Sequence, residues 1–308
     1  MRENARTMQP KSTLASRREA LRYLTVGAGW GGLLSALQTA SAAQEAPAKR
    51  MPSIFIGHGS PMNALQDNEF SRRLRLWGSD IGKPRAILMV SAHWLTQGNT
   101  AVAVVTKPET IHDFGGFPRE LAEMQYPASG SPLFAQQALA ALKSQRAVPS
   151  QAWGLDHGAW TVLHHMYPQA DVPVFQVSID YAQRGPYHFG LGRELAALRA
   201  RGVLIAGSGN VVHNLRATES SDATRAQASK PWAQAFDDAV KKALNSGALE
   251  ALMDYQALDA SHAMAVPTPD HYWPLLYALG AADFSEKPAY TFEGFQNGTI
   301  SMRCMQWG

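Results

Sequence analysis

Ser53-Ile54-Phe55-Ile56-Gly57-His58-Gly59-Ser60-Pro61 and Ala86-Ile87-Leu88-Met89-Val90-Ser91-Ala92-His93-Trp94 are the stretches from which the fold can be read. Each begins as a short apolar run without polar alternation, the pattern of a strand buried on both faces. Each then runs into a histidine. Similar runs recur at 101–105, 172–179, 203–206 and 299–305. Helical patterns lie between them. Ser131 and Pro132 open one that extends to about residue 144. Residues 187–201 place Leu191, Leu195 and Leu198 on one face before Gly202, and Trp232, Phe236, Val240 and Leu244 repeat between Pro231 and Gly247. Strands alternating with helices predict a single α/β domain with a central, largely parallel or mixed sheet flanked by helices. The segment 107–130 is long, rich in Gly and Pro and without periodicity, as functional loops often are.

The 308 residues are 45% hydrophobic and 17% charged, which excludes disordered, collagenous and multi-span membrane classes. The formal charge of +3 is unevenly placed. Six of the 28 basic residues but only two of the 25 acidic ones fall within 1–42, leaving 22 against 23 and a formal charge of −1. A neutral body excludes nucleic acid as a partner. Cys304 is the one cysteine, so an internal disulfide and a CxxC metal knuckle are both ruled out.

The basic charge belongs to an expected leader. Arg17 and Arg18 precede an uncharged, Gly-diluted run over 23–43 that closes on Ala40-Ser41-Ala42. This reads as a twin-arginine-type signal peptide over 1–43, with a linker at 44–50 and the folded domain at 51–308. An amphipathic helix or a membrane anchor is the other reading, but the glycines weaken a stretch already near the minimum span. The expectation is a periplasmic protein that meets the twin-arginine machinery and has no membrane segment in its mature form.

The histidines follow the strands. His58 and His93 stand just past the ends of two strands, and the run at 203–206 leads through Gly207-Ser208-Gly209-Asn210 to His213. In open α/β sheets, ligands bind at the carboxyl ends of the strands. His58 alone could serve its turn, His93 could be a core histidine, and His213 could bond its own loop. Three at one sheet edge favour a metal site. Thr268-Pro269-Asp270 reads as a helix start, which puts His271 in the first turn, where it either helps to cap its own helix or, the dipole favouring the neutral, metal-binding imidazole, joins the other three. Asp156-His157 lies in a loop before a helix expected near Trp160, and suits either support of a metal ligand or proton transfer. His112, Phe114 and Phe117 suit a flexible wall over a substrate. His164, His165, His188 and His262 read as surface or structural.

These motifs stand in an order that resembles the class III extradiol ring-cleavage dioxygenases, and among them the 4,5-DOPA extradiol dioxygenase-like branch. The resemblance is carried by 57–62, 91–94, 111–118, 153–158, 207–215 and 267–272 and covers residues 51–308. It implies that His58, His93 and His271 are metal ligands, that His213 is a base beside the metal and joins the coordination in zinc-bound relatives, and that His157 is the second acid/base histidine. It further implies one divalent metal, Zn2+ or Fe2+, and a small aromatic diol and O2 as substrates. All-histidine donors also suit zinc, which lacks redox chemistry. A zinc-bound member with hydrolytic or weak activity, or a non-enzymatic Memo-type binding protein, are the alternatives.

Overall fold

The computed structural model describes residues 48–143, 147–218 and 227–308. The leader expected over 1–43 and most of the linker expected at 44–50 lie outside the described residues. Ala48–Gly308 form one compact unit. Its central sheet has six strands: β1 (Ser53–Gly57), β2 (Ala86–Ser91), β3 (Val174–Gln176), β4 (Val203–Gly209), β5 (Ala289–Phe292) and β6 (Cys304–Trp307). The spatial order is β3-β2-β4-β1-β6-β5. The first four in that order are parallel, whereas β6 pairs antiparallel with β1 and β5 antiparallel with β6. The sheet is therefore mixed, with its parallel half carrying the histidine-bearing strand ends.

Six longer helices cover the sheet: α1 (Glu69–Ile81), α2 (Pro132–Ala141), α3 (His157–Met166), α4 (Gly185–Leu195), α5 (Pro231–Ser246) and α6 (Trp273–Ala281). The apolar runs lack polar alternation because successive side chains enter two different cores. Phe55, Leu88, Val90, Val203 and Ile205 pack with Leu191, Val240 and Leu275 on one face. Ile54, Ile56, Ile87, Met89 and Leu204 pack with Leu74, Trp77, Trp160 and Leu163 on the other. Each such side chain fully buried stabilises the fold by about 1.5–3 kcal/mol before entropy is counted.

Several strand expectations are corrected. Of the run at 101–105, only Ala101–Ala103 is extended, and it pairs with Val148–Ser150 outside the central sheet. The run at 172–179 divides into β3 and a short strand, Ile179–Asp180, that pairs with Leu95–Thr96. That at 299–305 also divides. Ile300–Ser301 pairs with Phe295–Gln296, after which the buried Arg303 side chain turns to Asp237 and Glu293 before β6 begins. Apolar patterning marks buried extended chain but does not choose its partner or show where a run breaks. The half-exposed edge strand β5 lacks such a run altogether. The helix expected over 187–201 is α4 continued by a 3-10 turn, Ala196–Arg201, and it stops at Gly202 with φ 83°. That expected from Pro132 ends at Ala141.

Arg199 ties the ends of this architecture together. Its side chain is fully buried, and its five N–H groups are all used. They donate to the carbonyls of Met51 (2.8 Å), Ala281 (2.9 Å) and Trp307 (3.0 Å), and to both Glu286 oxygens (2.7 and 2.8 Å). One planar group thus joins the segment before β1, the end of α6 and the end of β6. Arg199→Met should lower unfolding stability by about 3–5 kcal/mol, because it leaves a partly buried carboxylate and three carbonyls without this donor. An unfolding free energy, measured by urea titration, that falls by less than about 1 kcal/mol would contradict the clamp.

Candidate active site

The register of the parallel strands sets the site. Gly57 pairs with Gly209 and Ser91 with Ser208, so β1, β2 and β4 end at one level. Beyond that level His58 N–H donates to Gly209 O at 3.0 Å, and Ala92 N–H donates to Ser208 O at 3.0 Å. His271 arrives from the other side. It belongs to a single 3-10 turn, Pro269–His271, ahead of α6, and the Thr268 side chain makes no cap bond. The expected first turn of an α-helix with Thr268 as its cap is thereby corrected. The turn can press against β4 because β4 has glycines there. A Cβ on Gly209 would lie 2.1 Å from His271 O, and one on Gly207 would lie 2.2 Å from Pro274 O. The contact is closed by Asn210 N–H donating to His271 O at 2.8 Å.

Outer partners then set which nitrogen of each ring faces inward. Ser208 Oγ lies 2.5 Å from Gly158 O and 3.0 Å from His58 Nδ1. Its single proton goes to the carbonyl, so it accepts from His58 Nδ1–H. His271 Nδ1 lies 2.5 Å from Asp270 Oδ2, and His93 Nδ1 lies 3.4 Å from Asp113 Oδ2. Carboxylates only accept, so the His271 ring also carries its proton on Nδ1, and the charge of Asp113 favours the same tautomer of His93 without an aligned hydrogen bond. Each of the three leaves Nε2 as a lone pair. His58 Nε2 and His93 Nε2 are 3.3 Å apart, and one nitrogen from each of His58, His93 and His271 lies within 4.8 Å of the others. Two metal–nitrogen bonds of 2.0–2.1 Å at octahedral to tetrahedral angles span about 2.9–3.4 Å. Lone pairs at this spacing cannot bond one another, whereas a divalent cation satisfies all three. The donor set fits one such ion.

The electrostatics agree. Burial, followed by the neighbouring imidazoles, drives His58 and His271 well below the ordinary histidine range. Burial lowers His93 and His213 to about 4, with nearby aspartates opposing the shift. Neutral imidazole is the form that binds metal.

A cavity of about 330 Å³ opens over these rings, at the lower end of ligand-sized pockets. His213, His157, Phe114 and Phe117 line it, as do Ser60, Leu215, Asn297 and Ile300, which sequence reasoning did not single out. His213 lies flat on His271, with ring centroids 3.6 Å apart and planes within 3°, and stands outside the converging triplet. His157 is the first residue of α3 rather than part of a loop, because Asp156 caps the helix by accepting from Ala159 N–H. Asp156 is buried and also accepts from Ser91 Oγ (2.5 Å) and Gln176 Nε2 (3.0 Å), so it serves the scaffold and not its neighbour's ring. The carboxylate at His157 is Asp113, missed in the sequence because it is 44 residues away. Burial raises the Asp113 carboxyl, but His157 and His93 outweigh it and leave it at about 2. His112 is corrected as a wall residue. Its Nε2 faces Met124 O at 3.0 Å, and it is not among the residues lining the cavity. His165 and His188 are buried within the scaffold, His165 against Asn63 O and His188 against Tyr277.

Comparison with known proteins follows this geometry. Residues 52–302 match the family described as the catalytic LigB subunit of aromatic ring-opening dioxygenase. The chain is 45% identical over 263 residues to a 4,5-DOPA dioxygenase extradiol of Escherichia coli K12, covering 84% of this chain and 95% of the relative. It is 40% identical over 256 residues to a protein of the same name from Beta vulgaris, covering 81% and 93%. A crystal structure of an uncharacterized protein from Escherichia coli K12 superposes with a TM-score of 0.73 at 40% identity, over 84% of this chain and 100% of that one.

Gly158 supplies a direct test of the site's packing. A Cβ there would lie 2.5 Å from Ser91 Oγ and 2.9 Å from His93 Cδ2. Gly158→Ala should therefore displace His93 and weaken zinc affinity about 10–100-fold, as disturbing a ligand's support does, with the far-ultraviolet spectrum unchanged. Wild-type affinity in a chelator competition would refute the assignment of His93.

Proposed function

We propose that this chain, which belongs to the family of the catalytic LigB subunit of aromatic ring-opening dioxygenases and is an extradiol ring-cleavage dioxygenase, acts with O2 on a catechol of the DOPA type. The proposed metal site is one ferrous ion held by His58, His93 and His271. The observation that carries this reading is the convergence of three imidazole lone pairs on the floor of a cavity that also holds two further histidines. When bound, such an ion supplies the one-electron chemistry by which O2 and an aromatic ring become reactive toward each other.

The chain's own residues handle the protons and the water. His213 is kept neutral by burial, lines the cavity and lies flat against His271, so it can accept a proton from a catechol hydroxyl. His157 faces the same space with Asp113 beside it, a placement that suits the return of a proton to the opened product. Phe114 meets His157 edge-on at 5.7 Å and Phe117 meets Phe114 edge-on at 5.4 Å. These two rings form an apolar wall suited to stacking on an aromatic substrate and excluding water.

Metal analysis after anaerobic purification, followed by oxygen uptake with a panel of catechols, tests the reading. One iron per chain and a yellow ring-opened product are expected. His58→Ala should lose the metal. His157→Gln should keep it while kcat falls about 100–10,000-fold. Stoichiometric zinc, with no product even after iron reconstitution, would overturn the reading.

Export is part of the same proposal, supported by Arg17, Arg18 and the closing Ala40-Ser41-Ala42 pattern. Among the described residues no helix is long and apolar enough to cross a membrane. Fractionation should place the mature chain in the periplasm, and exchanging both arginines for lysine should retain the precursor inside.

A further inference from the structure

We propose that Asp113 is a positioning residue that orients two histidines at once, the ligand His93 and the proton-transfer residue His157. The assignment rests on the metal site and the histidine roles given above. The two carboxylate oxygens have separate tasks. Oδ1 accepts the backbone N–H of His157 at 2.9 Å and lies 3.0 Å from His157 Nδ1. The latter approach lacks hydrogen-bond alignment, so charge and the backbone amide hold this pair. Oδ2 lies 3.4 Å from His93 Nδ1. The rings of His93 and His157 are themselves only 3.8 Å apart, and a rotation of either would disturb the other.

The placement of Asp113 is built into the backbone. Thr110 bridges to Leu155, Ile111 N–H donates to Leu155 O at 2.7 Å, and Leu155 N–H donates to Glu109 O at 2.8 Å. Gly154 permits this closeness, since a Cβ there would lie 2.1 Å from Glu109 O. Trp160 Nε1, from α3, donates to Ile111 O at 3.0 Å. The loop before Asp113 is thus fastened to the segment that leads into His157. A carboxylate this constrained fixes ring direction by geometry, as outer partners of metal-bound histidines do.

The division between the two oxygens gives two substitutions opposite signatures. In Asp113→Asn the amide oxygen must stay at the His157 backbone N–H, because the NH2 group would face a donor there. The NH2 group then points at His93 Nδ1 and favours the tautomer with its proton on Nε2, which cannot bind metal through that atom. In Asp113→Ala nothing misdirects His93, but His157 loses its anchor. Zinc affinity by chelator competition should therefore fall about 10–100-fold in Asp113→Asn and less in Asp113→Ala. Nitrogen-15 shifts of the His157 ring in the zinc form should report the Nδ1–H tautomer in the wild type and in Asp113→Asn, and a mixture in Asp113→Ala. With saturating ferrous iron, kcat should fall further in Asp113→Ala than in Asp113→Asn at unchanged KM.

Wild-type zinc affinity in both variants would overturn the proposal, as would losses of affinity and kcat in the same order. Two zinc ions per wild-type chain and one in Asp113→Ala would also overturn it, making the carboxylate a ligand. If the wild type cleaves no catechol, the proposed function fails while the zinc and nitrogen-15 measurements still decide the role of Asp113.

Discussion

The site depends on three imidazole lone pairs held toward one point. Neutral nitrogen lone pairs at this spacing repel and cannot bond one another. Their directions must therefore come from outside the cluster, from Ser208 behind His58, Asp113 behind His93 and Asp270 behind His271. The arrangement is unfavourable for the polypeptide alone and favourable with a cation. Binding free energy for a metal is stored in the folded chain in this form.

That stored energy requires a stiff frame, and the parallel half of the sheet supplies it. Backbone hydrogen bonds fix the strand ends in register, and side chains fill both faces, so His58 and His93 have little room to relax apart. Missing side chains matter as much as present ones. The glycines of β4 let the turn bearing His271 approach the sheet, and Gly158 lets α3 approach His93. Arg199 closes the far end of the sheet, away from the chemistry.

Five histidines share the cavity, but their surroundings divide them into two sets. His58, His93 and His271 converge through Nε2. His213 lies flat against His271 without joining the triplet, and His157 packs on His93 beside a carboxylate. Rings with converging lone pairs and rings outside that convergence thus share one small volume without sharing the same point. The apolar rings of Phe114 and Phe117 come from the same loop as Asp113, so the apolar wall of the cavity and the carboxylate beside His93 and His157 are covalently one segment.

The sequence by itself determined the α/β class, the strands β1, β2 and β4, and the histidines that follow them. Those features arise from local causes: apolar runs without alternation, and glycines where a chain must turn after a buried strand. It also showed that the motif around His271 opens a helical turn. Only the tertiary structure decided that Ala101–Ala103 stands outside the central sheet and that an edge strand, β5, completes it. It likewise decided that His112 turns away while its neighbour Asp113 faces the site, and that Asp156 caps a helix while Asp113 serves His157. The physical reason is the same in each case. Strand partners and buried charge pairs are selected among residues distant along the chain, by register and packing, and a carboxylate carries no local mark of the ring it will face.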